Sequence, residues 1–150
     1  GGTYLAATGT IDGTVLLATL PWGAIATAVL FGKHLDKIEA DSSRGVGTLV
    51  VRIGERRARA GTLLLLSVGY ISVALFGLLG IFPWIVAPLA GLGALSALPA
   101  MKIVAAPRPS APPAGYPLWP LWHVSAAFLA GRPAMGALFV GLIIGTLLGI

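Results

Sequence analysis

The chain has 150 residues, 57% of them hydrophobic and only 10% charged, with a mean hydropathy of +0.93. Soluble domains carry about 25% charged residues, so this balance excludes an ordinary soluble domain and predicts an all-α membrane protein, a bundle of transmembrane helices. The net charge of +5 sits beside apolar segments, as topology signals do, and predicts no nucleic-acid partner.

Gly1 to Gly9 reads as the tail of an earlier helix, and the chain opens on Gly rather than Met. We therefore expect residues 1–150 to be the C-terminal part of a single transmembrane domain that continues upstream. Thr14 to Phe31 is an uncharged run of 18 residues, within the span range of about 17–25, with Pro21 as a predicted kink. A charged loop, 33–60, comes next. Lys33 to Arg59 holds four of the five acidic residues and seven of the ten basic ones. Gly61–Phe82 and Pro83–Ala106 form a predicted hairpin of two spans, with Phe82 and Trp84 suited to an interfacial belt at its turn. Lys102 can snorkel from the end of the second of these.

Ala105–Pro117 contains five prolines and Arg108, and reads as a loop. Leu118–Ala130 is apolar but short. It is expected to lie in the interface, with Trp119, Trp122 and His123 at headgroup level. Pro133–Ile150 is the last predicted span, with Gly136, Gly141, Gly145 and Gly149 spaced for close packing. The expected architecture is thus four spans plus one interfacial helix. The charged loop and Lys102–Arg108 share one face, which the positive-inside rule makes cytoplasmic. The Ala-, Gly- and Arg-rich composition points to a bacterial plasma membrane.

The absence of cysteine excludes disulfides, thiolate metal sites and cysteine nucleophiles, and with two histidines and few carboxylates no transition-metal centre is expected. The loop remains, GKHLDKIEADSSRGVGTLVVRIGERRARAG from Gly32 to Gly61. On a helix Lys33, Lys37 and Asp41 share a stripe, whereas Asp36 and Asp41 point about 140° apart. Carboxylates suit Mg²⁺ bridged to phosphates, and Lys and Arg favour a departing diphosphate. The alternative is a solvated loop whose charges pair, Lys37 with Asp41 for instance. His34 can contact diphosphate or simply be solvated. Tyr4, Trp22 and Tyr70 can line a cavity or pack, and Arg56, Arg57 and Arg59 are expected at anionic headgroups.

The stretch LFGKHLDKIEADSSRGVGTLVVRIG resembles the second Asp-rich motif of the UbiA superfamily of intramembrane prenyltransferases, in its quinone-biosynthesis branch. Ile38, Glu39 and Asp41 match the acidic core of that motif, and Gly45, Thr48, Leu49, Arg52 and Gly54 match its C-terminal portion. Tyr4–Gly9 resembles the preceding tract in naphthoate-prenylating members. The chain departs in three ways. Lys37 stands where the motif has its first Asp, with Asp36 one residue away; Val46-Gly47 replaces a Lys-Arg pair; and the family's other Asp-rich motif is absent.

The resemblance implies half of a nine-helix bundle around a central cavity, this chain supplying helices six to nine. It implies Mg²⁺ as cofactor and alkyl transfer from a polyprenyl diphosphate to an aromatic or quinone-precursor acceptor. Asp41, then Asp36 and Glu39, are the candidate metal ligands. Lys33, Lys37 and Arg44 are the candidate diphosphate contacts. The rival expectation is a non-catalytic, prenyltransferase-like subunit that binds lipid or quinone or packs in a larger membrane complex.

Overall fold

The computed structural model describes residues 2–150, an all-helical chain with no strand among the described residues. A short α1 (Gly2–Thr8) lies on the surface. Asp12 then starts α2 (Gly13–Ala18), its carboxylate accepting the Thr14 and Val15 amides at 2.6 and 3.3 Å. These contacts satisfy amides that a helix start leaves without partners. They also hold the Asp12 carboxyl below its ordinary value, the Thr14 amide being the largest cause. A break at Thr19 leads into α3 (Leu20–Leu35). Pro21 falls in its first turn, where no intrahelical amide is needed, so it starts a helix rather than kinking one.

Two short helices, α4 (Ile38–Ser43) and α5 (Leu49–Ile53), fill the charged segment. Then come α6 (Glu55–Leu78), α7 (Val86–Ala105) and α8 (Trp122–Leu148), of 24, 20 and 27 residues. At 1.5 Å per residue each covers about 30 Å or more, the thickness of a hydrocarbon layer. With Gly13–Leu35 they are four helices long and apolar enough to cross a membrane. Helix already begins at Glu55, so Arg56, Arg57 and Arg59 belong to the first turns of α6 and not to the loop.

Lipid tails are as apolar as leucine, so the helices associate by close packing, which small residues favour. The central layer is built that way. Ile25 and Ala28 of α3 meet Leu66 and Tyr70 of α6, Ala97 of α7, and Ala130 and Ala134 of α8. The Tyr70 hydroxyl donates to the Ala130 carbonyl at 2.7 Å. Gly141 and Gly145 lie against Val86 and Pro83, where a β-carbon would sit 2.4 and 2.2 Å from side-chain atoms. Gly136, of the same predicted series, touches nothing at its bare side. Gly149 instead forms the left-handed cap of α8.

Two expectations need correction. Leu118–Ala130 is not a separate interfacial helix, because α8 runs unbroken from Trp122 to Leu148 through Pro133. Pro133 removes one amide, but its ring and carbonyl fit against Gly93, which has no side chain to displace them. Arg132 therefore sits inside a span. Phe82 is likewise buried, edge-to-face with Phe76 at 5.8 Å, while Trp84 stays exposed at the same turn.

Candidate polar cavity at the membrane face

The ends of α3 and α7 and the starts of α6 and α8 gather on one side with the charged segment. Turn chemistry shapes that segment. Gly45 (φ 71°) ends α4 and Gly54 (φ 81°) ends α5, a left-handed backbone that favours glycine. The Thr48 hydroxyl accepts the Val51 amide at 3.3 Å and starts α5. Arg52 Nε donates to the Gly47 carbonyl at 3.1 Å. The motif positions Gly45, Thr48, Arg52 and Gly54 thus fold the loop.

Asp36 ends α3 and reaches across to the start of α8. Its Oδ1 accepts the His123 amide at 2.8 Å and its Oδ2 the Val124 amide at 3.0 Å. A carboxylate is well placed there, since a helix N-terminus carries partial positive charge. His123 is buried rather than at headgroup level. Its Nε2 lies 3.1 Å from the Ala106 carbonyl, and its buried Nδ1 lies 3.3 Å from Asp36 Oδ1 without an aligned hydrogen bond. The close approach depends on Gly32, one turn before Asp36. A β-carbon there would lie 2.7 Å from the His123 carbonyl oxygen.

A cavity of about 360 Å³ opens beside this junction. Asp36 and Glu39 line it from the charged segment, Glu55 from α6, Arg108 and Trp119 from the proline-rich loop, and His123 from α8. Arg108 Nη1 donates to the Asp36 carbonyl at 3.1 Å, and its guanidinium lies 4.4 Å from the centre of the Trp119 ring. Stacking of this kind holds the fork in place while leaving most of its five N–H donors free. Below it Arg59 ties α6 to α7. It donates to the Ala105 carbonyl at 2.6 Å and sits 3.3 Å from Glu55. Arg59 is thus partly buried in a helix junction, which replaces the expected lipid contact.

Of the candidate metal ligands, the fold brings Asp36 and Glu39 to one cavity. Asp41 lies outside it, with Oδ2 3.3 Å from His34 Nδ1, so the pairing within this segment is with His34 and not with Lys37. Lys33, Lys37 and Arg44 are exposed and none lines the cavity. Among the described residues no three His, Asp or Glu side chains are grouped closely enough to hold a metal by themselves. Mg²⁺ asks for less. One carboxylate beside water and phosphate oxygens suffices, and Glu39, exposed at the cavity, fits that pattern, whereas the Asp36 carboxylate is buried and gives both oxygens to the α8 amides. The basic and aromatic lining, Arg108 and Trp119, was not among the sequence candidates. Its one signal was a lone arginine in a proline-rich loop on the same face as the acids.

The profile of the UbiA prenyltransferase family matches residues 1–131. A curated relative, a 1,4-dihydroxy-2-naphthoate octaprenyltransferase of Haemophilus influenzae, is 36% identical over 84 residues. That stretch is 56% of this chain but 27% of the relative, so the chain matches about a quarter of that protein's length. No solved structure matches the chain. With four apolar helices of spanning length and a family match over most of its sequence, this integral membrane chain belongs to the UbiA prenyltransferase family.

Proposed function

We propose that the chain carries part of the active site of a prenyltransferase, which moves a polyprenyl group from its diphosphate to an aromatic quinone precursor. The observation that carries this reading is the cavity. Three carboxylates, Asp36, Glu39 and the Arg59-paired Glu55, and a stacked guanidinium, Arg108, meet at the polar end of an apolar bundle. A prenyl tail belongs among the helices and its diphosphate at that end. The relative's name gives the substrate class by analogy: a dihydroxynaphthoate acceptor and a long isoprenyl donor.

In this reading Arg108 binds diphosphate oxygens with its free N–H groups, a task suited to a bidentate fork. Glu39 would hold Mg²⁺, with Asp36 fixing the wall beside it through its two α8 amides, and the ion when bound would neutralise charge on the departing diphosphate. The bond between the allylic carbon and diphosphate oxygen breaks, a bond to an aromatic carbon forms, and the ring loses a proton. Lys33, Lys37 and Arg44 then act at longer range, drawing an anionic donor to the face. We place that face in the cytoplasm of a bacterium, by the positive-inside rule.

One observation favours the second reading, a non-catalytic subunit that binds lipid or quinone. Both Asp36 oxygens already serve α8, and Asp41 faces His34. The test follows diphosphate release from a labelled polyprenyl diphosphate by the protein in nanodiscs, with and without Mg²⁺, across a panel of aromatic acceptors. Glu39→Ala and Asp41→Ala run beside the wild type. Release that requires Mg²⁺ and collapses in Glu39→Ala supports the enzyme. No turnover by folded protein supports the subunit.

A further inference from the structure

Among the described residues Arg132 is the one basic side chain near the middle of a span. It lies ten residues after Trp122, about 15 Å along α8, with a further 16 residues to Leu148. Its neighbours confirm the depth. The Ala130 carbonyl bonds Tyr70 and Pro133 lies against Gly93, both well inside their own helices. A hydrocarbon layer is about 30 Å thick, so Arg132 sits near its centre, farther from either polar end than its side chain can reach.

Arg132 is also exposed. It lies in an apolar stripe with Phe128 and Phe139, which are 56% and 67% exposed. Pro133 has no N–H for the Leu129 carbonyl, and Leu129, Arg132 and Pro133 together line a shallow depression of about 310 Å³. A cation and a freed acceptor therefore share one spot on this face. One turn on, Gly136 leaves open space where another backbone can approach. Charges at such depth are strongly unfavourable against lipid, and face a partner or a wet cavity instead.

Charge decides the partner's chemistry. The five carboxylates of this chain are Asp12, Asp36, Glu39, Asp41 and Glu55, and each lies near a helix end. A second copy of this face would bring another Arg132 and no counter-charge. We propose that this face of α8 is covered by a further membrane-spanning helix that brings an aspartate or glutamate to Arg132. A carboxylate accepts the guanidinium fork through two parallel bonds, the strongest pairing open to it in a dry layer.

A photoreactive benzoylphenylalanine at position 128 or 139, in the protein in its native membrane, tests this by mass spectrometry of the adducts. Both positions should crosslink to one transmembrane peptide, its Asp or Glu about one turn from the adduct of position 128 and about two turns from that of position 139. Arg132→Leu should lower the yield at position 139 several-fold, and Arg132→Lys should retain most of it. Adducts with lipid only, with the same face of a second copy, or with a helix free of acidic residues would overturn the proposal, as would an unchanged yield in Arg132→Leu. The probes leave Arg132 intact, so the adduct's identity decides even where the leucine variant fails to fold.

Discussion

Replacing Asp36 with alanine should loosen the junction between α3 and α8, whatever else Asp36 does. The carboxylate is buried and accepts two amides at 2.8 and 3.0 Å. Hydrogen bonds to a charged group contribute about 1.5–3 kcal/mol each, while whole helix caps measure about 0.5–2 kcal/mol. The amides left without partners face a closed junction, so we expect a loss of about 3 kcal/mol, somewhat above the cap range. For a chain of this size that corresponds to a drop in melting temperature of about 6–12 °C. Asp36→Asn keeps one acceptor oxygen and loses the charge, and should fall about halfway. The assay is thermal unfolding in detergent with size-exclusion recovery, without Mg²⁺ or diphosphate. An alanine variant within about 2 °C of wild type would refute the capping role and leave Asp36 free to act on a metal.

Gly32→Ala should destabilise by about 1–3 kcal/mol, since its methyl group would meet the α8 backbone at 2.7 Å; the same thermal assay reads it. Tyr70→Phe removes the bond to the Ala130 carbonyl and should cost about 1 kcal/mol with little change in fold, measurable as a small shift in midpoint. The Asp12 carboxyl is held below its ordinary value of 3.8 by the amides it caps. Its folded value is depressed, so its contribution is complete above the unfolded value and is lost as pH falls through the folded one. The stability gap between wild type and Asp12→Ala should therefore be constant at neutral pH and close in acid; a gap that widens in acid would contradict this.

Hydropathy made the bundle legible, because a span must satisfy its backbone internally and so appears as an uninterrupted apolar run. The run ending at Phe31 lies inside Gly13–Leu35, and the run starting at Gly61 fills most of Glu55–Leu78. Amphipathic ends were the least legible. Arg56, Arg57 and Arg59 read as loop, yet Arg59 finds a carbonyl on α7 and helix begins before it. Leu118–Ala130 and Pro133–Ile150 read as two separate segments, and only the bare side of Gly93 shows why α8 continues through Pro133. At the cavity, the family resemblance named Asp41 first and Asp36 and Glu39 behind it, and only the latter two line the cavity. The resemblance could not reveal that Asp36 serves a helix 87 residues away in sequence, or that Arg108 joins it, since both depend on tertiary contact. The one-residue offset of Asp36 from the family's motif now has a physical correlate. At the last turn of α3 it faces the α8 amides, while Lys37 takes the exposed position.

Equilibrium binding of a polyprenyl S-thiolodiphosphate, which ionises slowly, tests most directly whether this cavity binds a diphosphate. The wild-type protein in nanodiscs should bind it in a Mg²⁺-dependent manner. Arg108→Ala should weaken binding about tenfold to a hundredfold, as loss of a charge-assisted contact implies, with the fold kept. Glu39→Gln should abolish the Mg²⁺ dependence. Binding that ignores Arg108 and Glu39 but falls in Lys33→Ala or Arg44→Ala would contradict the account and move the diphosphate out of the cavity onto the exposed loop.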